Sequence, residues 1–139
     1  MNLKSFIIVA LLVLGFQQSS AQVYHFQATG FSVLEKTPRG TWGQWSELQP
    51  TSLIITLDTN KNRIVVYSQE IQVYTINTYG EKEESDADLV YPFICSDSDG
   101  MPFTISIITR KLQGGRKQLY INQKDVVLVY NIINHIPSK

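Results

Sequence analysis

Short apolar runs broken by turn-forming residues fill the chain from residue 22 onward. Along 103–107, Phe103, Ile105 and Ile107 fall on one face of a strand while Thr104 and Ser106 fall on the other. Valine, isoleucine, threonine, tyrosine and phenylalanine dominate these runs, which favours strands over helices. The runs predict strands at Val23–Phe26, Phe31–Glu35, Trp42–Leu48 (weak), Ser52–Leu57, Arg63–Ser68, Ile71–Tyr79, Leu89–Ser96, Pro102–Arg110, Lys117–Ile121 and Val126–Ile133.

The segments between these runs are rich in residues that form tight turns. DTNKN, SDSDG, QGGR and NQKD supply Asx residues and glycines where a hairpin needs them. Some runs, such as LIITL and DVVLVYNI, are apolar on both faces, which requires barrel closure or a second layer. We therefore predict an all-β fold, a small antiparallel β-barrel or barrel-like sandwich of about eight strands joined mostly by up-and-down hairpins.

The first 21 residues have the pattern of a signal peptide. Lys4 precedes the apolar run Phe6–Phe16, and small residues follow up to Ala21, where we expect cleavage. The run is shorter than the roughly 20 residues that span a bilayer, and no later segment has the character of a transmembrane helix. The sequence thus predicts a signal peptide at 1–21, a single β domain at 22–139, and export to the periplasm, the cell envelope or the medium.

Charge is balanced along the chain. The sequence has 12 basic and 12 acidic residues, and removal of Lys4 leaves 12 − 1 = 11 basic ones. This balance gives no reason to expect a nucleic-acid partner.

The sequence lacks the usual groupings of catalytic residues. Cys95 is the single cysteine, and His25 and His135 are the two histidines. There is no G-x-S-x-G motif and no histidine spacing typical of zinc, so we predict no catalytic residue, no metal and no cofactor. We expect Cys95 to be buried, and a hydrolase that uses Cys95 or an unmarked serine is the alternative.

An up-and-down order of strands predicts which turns share an end. One end collects 58–62, 81–88 and 113–116, where we expect the acidic run 81–88 to be compensated by basic neighbours. These neighbours are Lys61, Arg63, Arg116 and Lys117. The other end collects the turns near 47–52, 68–71, 96–100 and 122–125.

The second end also receives GTWGQW, the segment that contains both tryptophans. Aromatic faces beside carboxylates suit sugars or cationic ligands, so we predict a ligand site there. Its residues are Trp42, Trp45, Asp97, Asp99 and Asp125. The alternative is that the tryptophans seal the core and the aspartates only form turns.

Two resemblances follow from short motifs. GTWGQWSELQP, SLIITLDTNKNRIVVYSQEIQVYTI and KQLYINQKDVVLVYNI resemble small exported bacterial β-rich proteins of unknown function, which implies a family and no activity. GTW is similar to the G-x-W motif of calycin barrels, the lipocalin and avidin group. That motif normally opens the first strand and meets an arginine near the last one, whereas strand-like sequence precedes Gly40 and no arginine follows Ile133.

These observations predict an exported, non-enzymatic binding or interaction module whose partner is a protein, a glycan or a small ligand. The alternative is a calycin-like carrier with an internal apolar cavity. A barrel of about eight strands leaves room for one small ligand at most.

Overall fold

The computed structural model describes residues 22–135, and these form one all-β unit. The predicted signal peptide, residues 1–21, lies outside the described residues. In chain order the strands are β1 Val23–Glu35, β2 Gln49–Asp58, β3 Arg63–Val66, β4 Gln72–Tyr79, β5 Glu83–Glu84, β6 Asp88–Ser96, β7 Pro102–Arg110, β8 Arg116–Asn122 and β9 Val126–Asn134.

The strands form a single antiparallel sheet that closes into a ring. Neighbours in the ring are mostly neighbours in sequence. β1 pairs with both β2 and β9, and the pairing of β4 with β6 closes the ring. β4 pairs directly with β6, while the two-residue β5 continues the same edge of β6 beyond the reach of β4. The predicted up-and-down barrel-like fold is therefore confirmed.

Three local predictions needed correction. β1 is one strand where two were predicted, because a bulge between Ala28 and Gly30 lets the chain continue through ATG without a turn. Trp42–Leu48 is not a strand; it holds one isolated bridge, between Lys36 and Trp42. The sequence also gave no indication of β5 or of the single 3-10 turn at Lys111–Gln113.

The inward-facing residues build one core inside the ring. Ile55, Ile64, Ile105 and Leu119 are fully buried at its centre. They come from four different strands and alternate with outward-facing neighbours, as the period of two requires. The middle of the barrel is thus filled by side chains.

No helix among residues 22–135 has the length and apolar character needed to cross a membrane.

Candidate functional site

The connections between strands lie at two opposite ends of the barrel, as predicted. We call one the tryptophan end; it holds the connections 36–48, 67–71, 97–101 and 123–125. We call the other the cup end; it holds 59–62, 80–87 and 111–115, with Gln22 and His135 beside them.

Aromatic rings fill the interior of the barrel near the tryptophan end. Tyr74 meets Phe103 edge-on with ring centres 5.1 Å apart, and Phe31 lies 6.2 Å from Tyr130. These geometries are favourable for aromatic pairs. The interior plug of this end is therefore made of phenylalanines and tyrosines rather than tryptophans.

Burial alters two titrating groups in this packed region. The Tyr74 hydroxyl donates to Gln72 Oε1 at 2.6 Å, and desolvation raises the pKa of Tyr74 to about 12. Desolvation likewise raises the pKa of Cys95, which is 1% exposed, to about 11. The Cys95 thiol is therefore protonated at neutral pH, which disfavours a nucleophilic role.

The tryptophan segment lies along the free edge of β1. Ser46 N–H donates to Val33 O at 2.8 Å, and Gly43 N–H donates to Glu35 O at 2.8 Å. The Ser32 hydroxyl donates to Ser46 O at 2.6 Å. These bonds satisfy the part of β1 that β2 does not reach, because β2 begins opposite Phe31.

Trp45 packs on the outer face of the barrel. Its ring meets Tyr120 edge-on at 6.4 Å. Tyr120 is also approached by Arg110, which donates to its hydroxyl at 3.0 Å and pairs with Asp88 at 3.1 Å. Val129 stands between Ser32 and Tyr120 in the sheet and is 7% exposed, so the segment covers an apolar outer position.

Trp42 belongs to a separate small group. Lys36 Nζ lies 5.2 Å from the centre of the Trp42 ring and 3.8 Å from Asp125 Oδ1. Trp42 and Trp45 are each 45% exposed, and neither belongs to the buried core. The tryptophans therefore do not seal the core, and Trp42 and Asp125 are brought together through Lys36.

Asp97 and Asp99 lie in the β6–β7 turn. Asp97 Oδ1 accepts the backbone N–H groups of Asp99 and Met101 at 2.9 Å each, which is the bonding of an Asx turn. Both aspartates line an open groove with Glu70 and Tyr74, and no tryptophan contributes to it. The five predicted site residues thus share an end but separate into an outer tryptophan surface and a distinct acidic groove.

A second concave site lies at the opposite end; it is similar in volume to the acidic groove, which measures about 580 Å³, but its lining is mainly apolar. There the interior opens into a cavity of about 530 Å³, which we call the cup. Its floor is formed by Phe26, Leu57, Phe93 and Ile107, each 6–7% exposed. A cavity of this size, apolar below and open above, suits a small ligand.

The walls of the cup differ from one another. Tyr24, Tyr79 and Tyr91 line the rim from β1, β4 and β6, and each is 44–45% exposed. Thr109, Lys117 and Asn134 line the other side from β7, β8 and β9, which are consecutive in the ring. The cup therefore has an aromatic side and a polar side.

Some rim groups are already engaged by the protein. Tyr79 donates to Asn62 Oδ1 at 2.8 Å and meets Phe93 edge-on at 5.8 Å. The Thr59 hydroxyl bonds the backbone of Gln22 at 2.6 Å. These contacts hold the rim in place, so the cup is largely preformed.

Lys117 occupies a different place from the one predicted. The acidic run 81–88 is compensated by Lys111, whose Nζ lies 2.6 Å from Glu84, and by Arg110 at Asp88. Lys117 faces inward beside Thr109 and lines the cup. Among residues 22–135, none of the four predicted partners, Lys61, Arg63, Arg116 and Lys117, forms an ion pair with the acidic run, so that part of the prediction is wrong.

The histidines lie close together at the cup end, where His135 N–H donates to His25 O at 2.9 Å. Within 22–135, no group of three or more histidine, cysteine or acidic residues is arranged to hold a metal ion.

The sequence analysis kept an internal apolar cavity as its alternative but named none of the residues that line the cup, although part of their signal is visible. Y-x-F occurs at Tyr24–Phe26 and at Tyr91–Phe93, and this spacing places both rings of each pair on one face of a strand.

Comparison with protein-family models, curated proteins and solved structures finds no match to this chain.

Proposed function

We propose that the protein is an exported, non-enzymatic binding module that holds one small ligand in the cup, in the manner of a calycin-like carrier. The observation that supports this most is the cup itself, an open cavity of about 530 Å³ with an apolar floor. The packed core of the barrel closes the cavity on its inner side, so the cavity opens to solvent at the cup end. Export follows from the predicted signal peptide at 1–21.

The shape of the cavity favours a small molecule over a protein segment. The floor residues lie inside the ring of strands, where a folded partner has no access. Binding there removes apolar surface of both ligand and floor from water, at roughly 25 cal/mol per Å² before the costs of association.

Native mass spectrometry of the protein, purified from the compartment to which it is exported, tests this proposal. We expect an added mass that is lost on denaturation. Thr109→Trp, which fills the cup, should lack this mass. Thr104→Trp should keep it, because Thr104 lies on the outer face of the same strand, β7. Leu89→Trp fills the cup from another strand and guards against a folding defect particular to position 109.

An added mass retained by Thr109→Trp and Leu89→Trp would contradict the cup as the site. Absence of any added mass in the wild type, together with no binding of an apolar dye, would remove the proposal. Thermal unfolding of each variant establishes that it is folded.

The half-exposed tryptophans support a second candidate, an interaction surface for a protein or glycan on the outer face. It rests on the 45% exposure of both Trp42 and Trp45. Tryptophan fluorescence titrated with a glycan panel tests the glycan, and a flat response in every titration would remove that ligand class.

A further inference from the structure

The polar side of the cup contains one charged group. Lys117 is the only ionisable Lys, Arg, Asp or Glu among the described residues that line the cavity. It is half-buried, and no carboxylate of residues 22–135 forms an ion pair with it. A lysine that lines an apolar cavity without a protein counter-charge is a favourable partner for an anion.

The strand register places further polar groups beside Lys117. Thr109 is directly opposite Lys117 across the β7–β8 pair. Asn134 lies on β9, two residues beyond Ile132, which is opposite Lys117 on the other side. Lys117, Thr109 and Asn134 therefore line the cup from three adjacent strands, and each of these side chains can donate a hydrogen bond.

The remaining surface of the cup is apolar or aromatic apart from Thr59, whose hydroxyl is bonded to the backbone of Gln22. Phe26, Leu57, Phe93 and Ile107 form the floor, and the tyrosines lie on the side away from Lys117. A ligand that satisfies both parts of the cup must carry a charged end and an apolar body.

We infer that the cup takes an anionic amphiphile, with its acidic head at Lys117 and its apolar body on the floor. This inference rests on the proposed function and specifies the class of ligand. A neutral apolar ligand would leave the ammonium without a partner as the cavity fills, and a cationic one would be repelled by it.

Calorimetric titration with three probes of the same carbon number tests the inference. Laurate, dodecanol and dodecylammonium carry an anionic, a neutral and a cationic head group on chains of closely matched length. The two charged probes are used below their critical micelle concentrations, and dodecanol is used below its solubility limit. We expect laurate to bind at least about tenfold more tightly than dodecanol, because a charge-assisted hydrogen bond supports a difference of this size. Dodecylammonium should bind most weakly.

Variants assign the preference to one residue. Lys117→Met keeps the length of the side chain and should reduce laurate affinity about tenfold while dodecanol affinity stays within about twofold. Lys124→Met removes the same charge in the β8–β9 turn at the opposite end of the barrel and should leave all three affinities unchanged. Lys117→Glu should make dodecylammonium the preferred probe.

Equal binding of laurate and dodecanol to the wild type would overturn the anionic head while leaving the cup as a site for apolar ligands. An equal loss of laurate affinity in Lys117→Met and Lys124→Met would show that the preference for an anionic head comes from the net charge of the protein. That result would also overturn the inference. If no probe binds, the anionic amphiphile is excluded. The proposed function is then decided separately by the mass bound to the native protein and its loss in Thr109→Trp.

Discussion

The two ends of this barrel are built from the same strands, yet one is packed and the other is hollow. At the tryptophan end, inward aromatic rings meet in pairs, as Tyr74 and Phe103 do at 5.1 Å. At the cup end, Tyr24 and Tyr91 also face inward, but each keeps 44% of its surface exposed. The number of aromatic residues therefore does not decide whether a barrel end is filled, because inward-facing tyrosines are buried at one end and half-exposed at the other.

The strand pairing offers a reason for the difference. β4 pairs with β6 only as far as Tyr79 and Phe93, after which the chain leaves the ring at Gly80. The first half of β6 then continues beyond this point with β5 as its neighbour. The wall at the cup end is consequently extended on one side, and Leu89 and Tyr91 line the cavity from that extension.

The largest expected effect is a difference in stability between two alanine variants on β7, one in the packed core and one in the cup floor. Ile105→Ala removes a fully buried side chain and should lower the free energy of unfolding by about 3–4 kcal/mol. Ile107→Ala removes the same atoms beside an existing cavity and should cost about 2 kcal/mol. Denaturant unfolding measures both, and an equal cost at the two positions would contradict a hollow cup end.

A smaller effect concerns the plug at the tryptophan end. Tyr74→Phe removes the hydrogen bond to Gln72 and should cost about 1 kcal/mol at neutral pH. Burial raises the pKa of Tyr74 from its ordinary value of 10.0 to about 12 in the folded protein. As the pH rises, the unfolded chain therefore loses the Tyr74 proton before the folded protein does. Stability should be full below the ordinary pKa and should fall between about pH 10 and pH 12.

The same raised pKa predicts a difference between wild type and variant in alkali. Tyr74→Phe should lose less stability than the wild type between about pH 10 and pH 12, because it has no hydroxyl to ionise. Cys95 and Tyr130, whose pKa values burial also raises, remain in both proteins and contribute equally. Parallel pH profiles for the two proteins would show that Tyr74 is not held in the packed plug.

The smallest effect tests whether Trp45 is bound to the outer face. A double-mutant cycle of Trp45→Ala and Tyr120→Ala should give a coupling energy of roughly 0.5–1 kcal/mol, the range for an edge-on aromatic pair. Neither change should alter ligand binding in the cup. Zero coupling, or a loss of cup binding, would contradict the separation of the two regions.

The sequence was sufficient to predict most of the strands and which of their connections lie at the same end of the barrel. Alternation along 103–107 gave β7 with its observed bounds, Pro102–Arg110, because one face is buried and the other is not. β5 could not be predicted, because its two glutamates lie in an acidic run that has no apolar pattern. It is a strand only because these glutamates pair with Leu89 and Val90.

The candidate site was harder to predict than the fold. Trp45 lies outside any strand, so no alternation determines whether it faces the interior or the outer surface. Lys117 was assigned to the acidic run because both lie at the cup end, but the register turns it inward beside Thr109. Whether the space above Phe93 is filled depends on the side chains of all the surrounding strands together. The sequence pattern of a single strand therefore cannot predict it.

Nuclear magnetic resonance of the labelled protein tests most directly whether the cup, rather than the tryptophan end, binds the ligand. The chain has 2 tryptophans, so their indole N–H signals report on the tryptophan end. On titration with the ligand released from the native protein, or with laurate, we predict shifts at the backbone amides of Phe26, Leu57, Phe93 and Ile107 while both indole signals stay in place. Shifts of the indole signals and of Asp97 and Asp99, with the cup amides unchanged, would contradict the account.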